Sequence, residues 1–138
     1  MQLSTKFDLI TIKLFAVLIF SVKRKKDGLL FIAVPNHKSW DAKHYKENWA
    51  AYDVPRHLYH FDKESLNNVL DQHGLEIKQT KAMLFDSFYI SILSEEIKSG
   101  QKKMIKGAIA GLISNLYATF KSGEYSSHLY LIEHKKAI

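Results

Sequence analysis

The run Leu29-Leu30-Phe31-Ile32-Ala33-Val34 is apolar without a break, between Lys26-Asp27-Gly28 on one side and Pro35-Asn36 on the other. Its length suits a strand better than a helix, and both flanks are turn signals. A strand with one wet face alternates apolar and polar residues; an unbroken run is expected where a sheet is covered on both faces, as in α/β proteins. That expectation calls for helices packed on the sheet.

The rest of the chain supplies them. Phe7-Asp8-Leu9-Ile10-Thr11 reads as a short buried strand ahead of the run. Asp62 is placed to cap a helix over Lys63 to His73, with Leu66, Val69 and Leu70 on one face and Gly74 as its stop. A strand is expected over Leu75 to Leu84, and a helix over Phe85 to Lys98 with Phe88, Ile92 and Leu93 as its stripe. A second helix is expected over Lys102 to Phe120, where Ile105, Ile109, Leu112, Ile113, Leu116 and Phe120 recur at three-to-four-residue spacing. Ser127 to His134 completes the series as a strand. No repeat or low-complexity linker divides the 138 residues, so the expectation is a single α/β domain over 1–138.

Between His37 and Phe61 the periodicity fails. Trp40, Tyr45, Trp49, Tyr52, Tyr59 and Phe61 alternate with His37, His44, His57 and His60, which reads as a long loop with a helical turn near Ala42 to Ala51. Long irregular loops in small domains often carry function.

Composition removes several classes. With no cysteine there are no disulfides, thiolate metal sites or cysteine nucleophiles, which fits a reducing, cytoplasmic setting. The net charge of +6 sits in short clusters, Lys23 to Lys26, Lys102 to Lys106 and Lys135-Lys136. Such clusters read as solvated turns and helix ends, so no specific nucleic acid is expected. The run Leu9 to Val22 is shorter than the roughly 20 apolar residues of a spanning helix. It is read as a buried strand and its neighbour, and membrane attachment through it is the less favoured alternative.

The segment Gly28 to Asn36, followed by Trp49, Asp53-Val54-Pro55-Arg56-His57 and His60-Phe61, resembles the carboxy-terminal part of class I S-adenosylmethionine-dependent methyltransferases. In that family a strand ending in Pro-Asn leads into a loop carrying Asp-x-Pro-Arg-His. The resemblance implies a partial Rossmann-like sheet of about four strands with flanking helices. The first two strands would be parallel and the last antiparallel. It implies S-adenosylmethionine as cofactor and a small-molecule or macromolecular methyl acceptor. The family's glycine-rich cofactor loop has no counterpart here. Gly107 and Gly111 lie in a helical pattern, where close helix packing explains them better. The implied form is a truncated or split enzyme needing an amino-terminal partner chain; the alternative is a non-catalytic remnant that binds or pairs as a homodimer.

Methyl transfer is an in-line displacement that needs alignment, exclusion of water and sometimes a base. On the resemblance, His57 is the candidate base, Arg56 the partner of an anionic acceptor and Asp53 their orienting group. Trp49 would offer an aromatic face to the sulfonium, and Asn36, at a strand's carboxyl end, would touch the cofactor. Each has a plainer role open to it. Asp53 and Arg56 can brace the loop, His57 can bond a carbonyl, and Asn36 can form an Asx turn. His57 and His60 lack acidic or thiol companions, so no metal site is expected. No Gly-x-Ser-x-Gly elbow marks a hydrolase.

Overall fold

A computed structural model describes residues 18–21, 30–53 and 59–135. Its elements run β1 (Leu18–Ser21), β2 (Leu30–Pro35), α1 (Trp40–Tyr45), single 3-10 turns at Lys46–Asn48 and Ala50–Tyr52, α2 (Lys63–Asp71), β3 (Leu75–Ala82), α3 (Leu84–Ser99), α4 (Met104–Tyr117) and β4 (Ser127–His134). A π-helical turn, Ala118–Ser122, extends α4. The expected strand over Phe7 to Thr11 lies outside the described residues, as do Arg56 and His57.

The fold is mixed α/β. The four strands form one sheet in the order β1-β2-β4-β3. Every neighbouring pair is antiparallel, with Ile32 opposite Tyr130 and Ile77 opposite Ile132 in the central registers. The parallel pair expected at the start of the sheet is therefore not present among the described strands. Only residues 22–29 separate β1 from β2, and a parallel crossover takes about a dozen residues or more. The last strand is antiparallel, as expected, and it is inserted between β2 and β3. Because both neighbours oppose β4, β2 and β3 point the same way.

β2 alternates in burial more than its composition suggests. Ile32 and Val34 are buried, while Phe31 and Ala33 are partly open on the opposite face. Ile32, Val34, Leu75, Tyr130 and Ile132 from the sheet pack against Leu66 and Leu70 of α2. α2 starts where the sequence places its cap. Asp62 Oδ1 accepts from Ser65 N at 2.7 Å, and Ser65 Oγ accepts from Asp62 N at 2.9 Å, a reciprocal capping box. After the helix Gly74 turns the chain with φ of +69°, a conformation glycine adopts without steric cost.

A second core lies at the Pro35 end of the sheet. Ala42 and Tyr45 of α1, Trp49, Ala51, Ile90 of α3 and Ala110 of α4 form it. The α3–α4 hairpin covers this core with its small residues. Ser87, Ser91 and Ser94 of α3, and Gly107, Ala110, Gly111 and Ser114 of α4, are buried. A Cβ on Gly107 would collide with the Ile92 backbone, and one on Gly111 would lie 2.7 Å from Phe88 Cα. The stripe of Ile105, Ile109, Leu112, Ile113, Leu116 and Phe120 does fall on one side of α4, and that side faces solvent.

Candidate functional site at the Pro-Asn corner

β2 ends at Pro35, and Asn36 then leaves the sheet with its N–H on Ser126 O at 2.8 Å. The Asn36 side chain is buried and fully committed. Its Oδ1 accepts from Lys38 N at 3.0 Å, which is the Asx turn. Its Nδ2 donates to Glu124 Oε2 at 2.7 Å and to Tyr125 O at 3.2 Å. Ser39 Oγ then caps α1 by accepting from Ala42 N.

Lys38 reaches across to Asp62, Nζ to Oδ2 2.6 Å. The Lys38 ammonium and the Ser65 N–H hold the Asp62 carboxyl well below the usual carboxylate range. The same hydrogen bond to Asp62 raises Lys38. Farther back, His60 Nε2 lies 3.1 Å from Tyr52 O, and the two rings meet edge to face at 5.0 Å. The two flanks of the segment carrying Arg56 and His57 are thereby held together. The chain just beyond is pinned beside the Pro-Asn corner. Asp53 ends the Ala50–Tyr52 turn in the left-handed region, φ 41°, which Asp tolerates better than most residues.

Trp49 is enclosed, at 1% exposure. Its indole N–H donates to Asp41 Oδ2 at 2.7 Å. The other Asp41 oxygen accepts from Ser114 Oγ at 2.7 Å and Ser126 Oγ at 2.6 Å. One buried carboxylate thus joins α1, the loop, α4 and the entry to β4. Asp41, Ser114 and Ser126 went unnoticed in the sequence because the two serines lie 73 and 85 residues from the carboxylate they serve. A second buried carboxylate, Glu95, accepts from Tyr45 OH at 3.2 Å and has Lys106 Nζ at 3.1 Å from Oε2, an ion-pair contact outside hydrogen-bond geometry. Burial and the Glu95 charge push the Tyr45 hydroxyl far up, so it remains a donor.

Beside Lys38 and Asp62 runs an open polar groove, whose walls include Lys63, Asn67, Glu76 and Glu124. Its charges are mixed and partly paired, Lys135 with Asp71 at 3.1 Å for example, so it presents no single-sign field to a ligand. Among the described residues no three His, Asp or Glu side chains converge as a metal site. No described helix is long and apolar enough to cross a membrane. Comparison with protein-family models, curated proteins and solved structures finds nothing that matches this chain.

Proposed function

We propose that this chain is the carboxy-terminal part of a class I S-adenosylmethionine-dependent methyltransferase-family protein, and that it needs the family's amino-terminal half for activity. The observation that carries the reading is the β2-β4-β3 arrangement. The last strand lies antiparallel between two strands that share a direction, and Pro35-Asn36 stands at the carboxyl end of the first. Open α/β sheets bind ligands beyond such strand ends. The Lys38–Asp62 and Tyr52–His60 contacts, which bring the flanks of the Asp-x-Pro-Arg-His segment to that corner, add support.

The cofactor does not fit the described residues. Asn36 spends its side chain on Glu124, Tyr125 and Lys38, and Trp49 spends its indole N–H on Asp41 with no ring face open. No step of methyl transfer is assigned to them. The same closure favours the second reading, a non-catalytic module that binds or pairs.

Calorimetric titration of S-adenosylhomocysteine separates these readings. The chain alone is expected to give no binding heat. Binding should appear when it is co-expressed with an amino-terminal half-domain bearing a glycine-rich turn. Saturable binding by the lone chain overturns the need for an amino-terminal half, and silence with every such partner leaves the non-catalytic module.

A further inference from the structure

The α3–α4 hairpin is inside out compared with an ordinary surface hairpin. Its small residues face the core and its large ones face water. Phe85 is 87% exposed, Ile105 80% and Phe120 79%. Every large hydrophobic side chain exposed among the described residues, Tyr59 excepted, belongs to this hairpin and its π-helical extension. Soluble proteins rarely leave so continuous an apolar face open unless it binds something.

The hairpin's charges indicate the occupant. Lys98, Lys102, Lys103 and Lys106 surround the α3–α4 turn, and Lys121 follows α4; all are exposed. The acids on the same hairpin are Asp86, Glu96 and the buried Glu95. A second copy of this face would bring the same excess of lysines again, with only Asp86 and Glu96 to answer it. Lys106 is already paired with the buried Glu95, and anionic lipid headgroups answer Lys98, Lys102, Lys103 and Lys121 at once. Phe85 and Tyr89 of α3, Tyr117 of α4 and Phe120 of its extension are all exposed aromatic side chains. Aromatic side chains of this kind settle at membrane–water interfaces. The helices do not span: α4, at about 1.5 Å per residue, is shorter than a hydrocarbon core of about 30 Å.

We infer that the outer face of the α3–α4 hairpin docks in the plane of an anionic lipid bilayer, apolar side chains in the acyl boundary and lysines on the headgroups. The inference is independent of the methyltransferase reading.

Flotation of the full chain with phosphatidylcholine vesicles, with and without phosphatidylserine, tests it. The chain is expected to float with the anionic vesicles and to be partly released by salt. Lys102→Gln with Lys103→Gln should lower partitioning by about fivefold per lysine. Leu112→Glu with Leu116→Glu should abolish flotation while far-ultraviolet circular dichroism stays unchanged, since both side chains are exposed. A folded chain that stays with solvent in both vesicle types overturns the inference. So does equal flotation of the parent and the glutamate variant. A dimer in sedimentation velocity that the glutamate variant splits, without flotation, assigns the face to a second copy and overturns it as well.

Discussion

Lys38 Nζ lies 2.6 Å from Asp62 Oδ2, so the residue that closes the Asn36 turn is tied to the residue that caps α2. One carboxylate therefore serves two elements. Its capping oxygen orders the helix, and its other oxygen fixes where the loop returns to the sheet.

Replacing Asp62 with Ala should cost about 1–2 kcal/mol, most of it from the lost cap, because exposed ion pairs contribute about 0–1 kcal/mol. The folded carboxyl is held below its unfolded value, so its stabilisation is complete above the unfolded value near 3.9. That stabilisation is lost as pH falls toward the lower folded value. Urea titrations of the parent and Asp62→Asn from neutral pH downward should converge on acidification. A constant gap would show that the charge is irrelevant.

Asp41 is the residue whose loss should be felt most widely. Asp41→Ala strands the Trp49 indole N–H and the Ser114 and Ser126 hydroxyls in the interior. At about 1–3 kcal/mol for each buried group left unpaired, we expect a loss of at least about 3 kcal/mol in chemical denaturation. Ser114→Ala removes one donor and should cost about 1 kcal/mol.

Gly111→Ala sets two effects against each other. Helix propensity favours alanine by about 1 kcal/mol. Its Cβ would lie 2.7 Å from Phe88 Cα and 2.8 Å from Ser87 O, backbone atoms that move only if the helices part. Overpacking costs about 1–3 kcal/mol, so the net is destabilising, and the melting temperature should fall. A rise would mean that the helices are farther apart than described.

His128 is 7% exposed, and desolvation by burial lowers its pKa from the usual imidazole value near 6.5. The unfolded chain then binds a proton that the folded chain resists, so stability declines as pH falls from about 6.5 toward the folded value. His128→Gln should flatten that part of the profile. The imidazole titration by nuclear magnetic resonance should show the lowered midpoint directly.

Local signals carried much of the architecture. Asp62 and Gly74 bracket α2 in the sequence and in the structure alike, because caps act within a few residues. The final strand was legible for a similar reason, and the Asx turn at Asn36 was one of the two roles its position in the sequence left open. Long-range choices were not legible. Periodicity showed that Ile105, Ile109 and Leu112 share a side of α4 but not which way that side faces. The direction was settled by Gly107 and Gly111 fitting against Ile92 and Phe88. Trp49 looked available to a ligand because nothing near it in sequence announces Asp41 as a partner, and the parallel start of the sheet was expected from the family resemblance.

The central place of β4 also governs when the sheet can exist. β2 and β3 meet only through Ser127–His134, the last of the described strands to be synthesised, so the three-strand core cannot zip up until that segment has been made. Until then Ile32, Val34 and Leu75 have no strand between them. The nascent chain is left holding sticky, unpaired segments, the interval in which chaperones or self-association compete with folding. Cutting the protein just before Ser127 should yield insoluble material rather than a smaller folded unit.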